Sequence, residues 1–154
     1  MENITPELRR AALARLEPFV GAWTVTVGFE PSAGVPTVFE WALGGQFLVQ
    51  RTEIPRPDAP DSMLVYGVDD SNPEAYTQHY FDSRGIARVY AMTLRDGVWT
   101  LRREKPDFTP LGFAQRFEGV FSDDGRTISG RWDVSRDGGL TWQVDFGITY
   151  ARAG

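Results

Sequence analysis

The sequence predicts an all-β protein: a single closed antiparallel up-and-down barrel of about ten strands, with a short N-terminal helix. Three observations carry this expectation. From Trp23 onward, apolar and polar residues alternate with a period of two over short runs. Turn-forming clusters punctuate those runs at near-regular spacing, with no strand–helix alternation between them. A meander of this kind has only local connections, and closing it into a barrel removes both sheet edges. The chain, 1–154, reads as one domain, with residues 1–18 carrying the helix and 19–154 the barrel.

The helix comes first. Thr5 suits an N-cap and Pro6 the first helical position, where a missing N–H costs nothing. Leu8, Ala12 and Leu16 fall along one face, and Pro18 forbids continuation, giving about three turns that would plug one end of a barrel. The strands follow as Trp23–Val27, Thr37–Leu43 and Gln46–Ile54, the last two joined at Gly44-Gly45. After a proline-rich excursion at Pro55–Pro60 come Met63–Val68, Tyr76–Phe81 and Ile86–Leu94. Asp96-Gly97 turns the chain into Val98–Arg103, and Phe113–Phe121, Thr127–Val134 and Thr141–Arg152 complete the set. In the last strand Trp142, Val144, Phe146, Ile148 and Tyr150 share one parity, and Arg152 has it too. An arginine pointing into a core needs a partner, and Trp23 on the first strand is the natural one, since closure makes the two strands neighbours.

Composition narrows the function. The chain holds 21 acidic residues against 16 Lys and Arg, a net charge of −5, which argues against nucleic acid and against an anionic membrane surface. With no cysteine and a single histidine, disulfides, thiol catalysis and multi-histidine metal sites are excluded, and neither a metal nor a cofactor is expected. The start, Met1–Pro6, has no basic segment leading into an apolar run, and no stretch approaches transmembrane length. A cytoplasmic location is the expectation.

Phe19-x-Gly21-x-Trp23 near the start, with Arg152 near the end, resembles the calycin signature of lipocalins and fatty-acid-binding proteins. The helix before the first strand and the strand count are more similar to the nitrobindin-like branch. Glu40-Trp-x-Leu-Gly-Gly-x-Phe-Leu-Val-Gln-Arg51 and His79-Tyr-Phe-Asp-Ser-Arg-Gly85 look like motifs of an uncharacterised bacterial family related to that branch. The resemblance spans nearly the whole chain and implies Gly21, Trp23 and Arg152 as structural signature residues. It also implies a ligand cavity. Nitrobindins bind haem through a late-chain axial histidine, but from Phe113 to Gly154 this chain has none, so haem is disfavoured here.

Residues with chemistry to offer are few. His79 is the only side chain whose ordinary pKa lies near neutrality, which makes it the first candidate for a hydrogen-bond partner or general base in the cavity. Polar interruptions of apolar faces come next: Gln115 between Phe113 and Phe117, Arg88 between Ile86 and Tyr90, and Arg51 in parity with Phe47 and Val49. Tyr66, Tyr90 and Trp41 can line a cavity with flat apolar surface and a polar tip. The expected function is binding of a small, mostly apolar molecule. The rival is an isomerase or cyclase on the same scaffold, with His79 or a tyrosine moving a proton. Ala87, Val89, Ala91 and Thr93, small and uncharged on the face opposite Tyr90 and Met92, would suit a homodimer contact.

Overall fold

The computed structural model describes residues 4–28 and 30–154, with the backbone alone at 30–33. Met1–Asn3, the first half of the Met1–Pro6 segment, lie outside the described residues. Helix α1 (Pro6–Ala14) is followed by a 3-10 turn (Glu17–Phe19). The strands are β1 (Gly21–Val27), β2 (Glu30–Ala42), β3 (Phe47–Thr52), β4 (Ser62–Val68) and β5 (Ala75–Asp82). The second half comprises β6 (Ala87–Arg95), β7 (Val98–Arg103), β8 (Ala114–Phe121), β9 (Thr127–Ser135) and β10 (Gln143–Arg152). Every strand pairs antiparallel with its sequence neighbour, and β10 returns to β1, so the barrel is closed. Each expected strand is present. The one large extension is β2, whose Pro31 and Pro36 hid its first half from a sequence reading.

Closure is secured where the signature residues meet. Trp23 and Arg152 are register partners across β1 and β10, with the guanidinium carbon 4.1 Å from the indole centroid. The same guanidinium donates to the Pro18 and Val20 carbonyls at 2.5 Å each, and the Trp23 indole N–H donates to Phe19 O at 2.8 Å. One arginine thus ties the end of the chain to the turn that begins the barrel.

Helix α1 starts as expected, the Thr5 hydroxyl accepting from Leu8 N at 3.1 Å. Its buried side is Ala12 and Leu13, with Leu16 just beyond, and not Leu8, which is 46% exposed. The first helical turn is tied to the rim, with Ile4 N donating to Asp70 O and Arg9 ion-paired to Asp70, so only its later part covers the barrel mouth. Leu16 and Phe19 enter the barrel completely, contributing roughly 1.5–3 kcal/mol each by burial. Phe19 stacks on Phe39 (centroids 5.3 Å apart) and meets Trp99 edge-on at 4.9 Å. This end of the barrel is solid.

β10 departs from the expected pattern. A bulge at Asp145 shifts register between Val144 and Phe146, which face Asp133 and Trp132 respectively. The extra residue turns Val144 outward, where it is 65% exposed, while Phe146 and Ile148 stay inside. Trp142 likewise lies outside, its ring under the Arg116 guanidinium at 4.3 Å.

Candidate ligand cavity

Beyond the aromatic plug the barrel is hollow. A cavity of about 660 Å³ runs from the Trp99–Tyr150 layer toward the end opposite α1. Its wall is mostly apolar and aromatic, including Leu64, Leu101, Phe117, Trp132, Phe146 and Ile148. The excursion after β3 supplies Ile54, Pro55, Arg56 and Ala59 at its mouth.

Room for the cavity depends on two glycines. Gly119 and Gly130 face each other across β8 and β9, and the Phe117 ring lies against both. A Cβ at Gly130 would come within 2.5 Å of that ring, and one at Gly119 within 2.8 Å. Without these bare positions the ring would have to swing inward.

Polar groups enter the wall in two places. In the floor, Tyr66 donates to the Gln50 side-chain oxygen at 2.7 Å, Gln50 donates to Thr37 Oγ1 at 3.1 Å, and Gln78 donates to the Tyr66 oxygen at 2.9 Å. Burial pushes the Tyr66 phenol well above its ordinary pKa, with Tyr150 adding to the effect, and burial raises Tyr150 as well. Along the side wall, the Tyr90 hydroxyl donates to Gln115 Oε1 at 2.9 Å beside Arg88. Burial raises the Tyr90 pKa while the neighbouring Arg88 works against it. Tyr80 donates to Asp82 at 2.8 Å, and burial followed by that carboxylate takes its pKa up to about 12.

The wall between β6 and β7 is completed by side chains. Backbone pairing of these strands runs from Arg95↔Val98 to Ala91↔Arg102. Below that, Asp107 accepts from Val89 N at 2.8 Å and Thr109 Oγ1 donates to Ala87 O at 2.8 Å. Asp107 also receives Arg103, whose guanidinium is 2% exposed, at 2.9 Å. Hydrogen bonds from Arg103 hold the Asp107 carboxyl well below the usual carboxylate range.

Of the residues singled out from sequence, Arg88, Tyr90 and Gln115 line the cavity. His79 does not. Gln78 and Tyr80 on either side point inward, so His79 stands on the outer face between its register partners Val65 and Val89. Arg51 is likewise outside, ion-paired to Glu40 at 2.5 Å, because its neighbour Gln50 takes the inward position. Tyr66 points inward but is sealed in the floor network, and Trp41 packs at the plugged end with its N–H on Glu17 at 3.1 Å. Gln50, Gln78 and Tyr80 were the misses. The signal was the Gly44-Gly45 hairpin, which sets Phe39 opposite Gln50 and so gives both the same face. Ala87, Val89, Ala91 and Thr93 alternate with the inward Arg88, Tyr90 and Met92 and therefore face outward as expected.

No protein-family model matches the chain, and neither does any curated protein. Among solved structures it is similar to Rv2717c from M. tuberculosis, at 18% identity with a TM-score of 0.59, covering 99% of this chain and 100% of that one. The two chains share a fold over nearly their whole lengths, here a closed ten-strand antiparallel barrel. At that identity the likeness concerns the fold alone. Among the described residues, no helix is long and apolar enough to cross a membrane, and no group of three or more His, Cys, Asp or Glu side chains is placed to hold a metal ion.

Proposed function

We propose that this protein binds a small, mostly apolar molecule inside the barrel. The observation that supports the reading is the cavity of about 660 Å³, apolar over most of its wall and furnished with a few fixed polar groups. A solid-packed barrel would have no use for the opposed glycines that hold Phe117 against the wall.

Proton-transfer chemistry has weaker support. Among the described residues no histidine, aspartate or glutamate lines the cavity, and the lining tyrosines are all pushed upward, away from the range a general base needs. An isomerase or cyclase working through His79 would need that ring on the other side of the strand. The nitrobindin-like reading fares no better with respect to haem. The residues do not fit that group, since the sole histidine is outside and the buried Tyr150 phenol resists the ionisation an iron ligand needs.

The test is titration with N-phenyl-naphthylamine, a neutral fluorophore that brightens in apolar surroundings. Saturable brightening is expected, and Leu64→Trp, which fills the cavity, is expected to abolish it while circular dichroism stays barrel-like. Equal brightening in the filled variant would show that the dye sits elsewhere and would remove the support for an internal site.

A further inference from the structure

We propose that the guest is an organic anion, a carboxylate on an apolar body, whose charged end is held by Arg88. This rests on the internal binding site proposed above and adds the chemistry of the guest. The first observation is the charge of the wall. In a chain of net charge −5, the lining residues include Arg88 and Arg56 and, among the described residues, no acid. Three acids close to the wall already have cations beside them. Asp82 is paired with Arg84 at 2.7 Å, Asp107 with Arg103 at 2.9 Å, and Asp58 lies 3.8 Å from Arg56. Arg88 makes no ion pair among the described residues.

The second observation is hydrogen-bond demand. Two buried side-chain polar atoms lack a partner among the described residues, Arg88 Nε and Trp99 Nε1. Both are donors, and both belong to lining residues. Beside Arg88, the Gln115 oxygen is occupied by the Tyr90 hydroxyl, which leaves the Gln115 amide to donate as well. The unfilled Arg88 Nε beside the Gln115 amide, on a half-buried cation, calls for an acceptor-rich, negatively charged group, because a buried donor without a partner is costly. A carboxylate suits this geometry, since guanidinium nitrogens accommodate two oxygens side by side. Leu64, Leu101, Phe117, Trp132 and Ile148 then receive the apolar remainder.

The experiment displaces bound N-phenyl-naphthylamine with pairs that share an apolar body and differ in the charge of the end group. Naphthoic acid against its methyl ester probes a ring body, and decanoate against decanol probes a chain. At least one acid is expected to compete at least about tenfold better than its neutral partner, the scale of a charge-assisted hydrogen bond. Arg88→Met should erase that advantage while leaving the neutral competitors within about twofold, and Arg88→Lys should retain part of it. Which pair shows the advantage identifies the body as ring or chain. Equal competition by acid and neutral partner in both pairs, or an acid advantage that survives Arg88→Met, would overturn the anion site while leaving the internal cavity standing. Failure of the neutral fluorophore to bind at all would overturn both.

Discussion

Gly21 does two things that no other residue can. Its φ of +121° lies where side chains are strained, and a Cβ there would come within 2.6 Å of the Arg152 guanidinium. Backbone strain alone costs about 1–3 kcal/mol, and displacing Arg152 would also take its charge off two carbonyls and off the Trp23 ring. Gly21→Ala should therefore lower unfolding free energy by roughly 2–4 kcal/mol in urea titration. A loss below about 0.5 kcal/mol, ordinary for a surface change, would mean the seam does not need it. At the same scale His79 shows why a residue type is not a site. Its chemistry was legible in the sequence, but its direction was set by Gln78 and Tyr80, which fill the inward positions of the same strand.

Among the elements, the segment after β7 matters most for the cavity, because it replaces backbone pairing along the lower part of β6. Asp107 alone accepts from Val89 N, Thr109 N and Arg103. Asp107→Ala leaves the Arg103 guanidinium buried without its carboxylate, a loss of about 3–5 kcal/mol. Amide exchange should accelerate first at Val89, where the acceptor has gone, and uniform protection would show that the segment holds by other contacts. Element boundaries were well marked in the sequence, since Gly and Asp clusters state where strands stop. Two elements escaped. The first half of β2 hid behind prolines, and the bulge at Asp145 inverted the faces of Trp142 and Val144 because one extra residue exchanges inside for outside.

For the molecule as a whole, burial of its aromatic rings makes the barrel sensitive to alkali. All five tyrosines have raised pKa values, burial being the first cause in each. The folded state keeps these protons longer than the unfolded chain, so their stabilisation is complete below pH 10.0 and is lost as pH rises, for Tyr80 up to about 12. Phenolate absorbance should therefore emerge together with loss of near-ultraviolet dichroism above pH 10, and a tyrosine titrating near pH 10.0 in the intact barrel would contradict this. Strand number, turn positions and the joining of the two chain ends through Trp23 and Arg152 followed from the sequence alone, because period-two alternation, turn chemistry and an arginine with the apolar parity of the last strand are local or paired signals. The inward parity of β3 and β5, the opposed glycines behind Phe117 and the Arg88 Nε left without a partner among the described residues emerged only in three dimensions. Alternation says that two faces differ without saying which one is inside, and contacts across a hollow leave no trace in the spacing of residues along the chain.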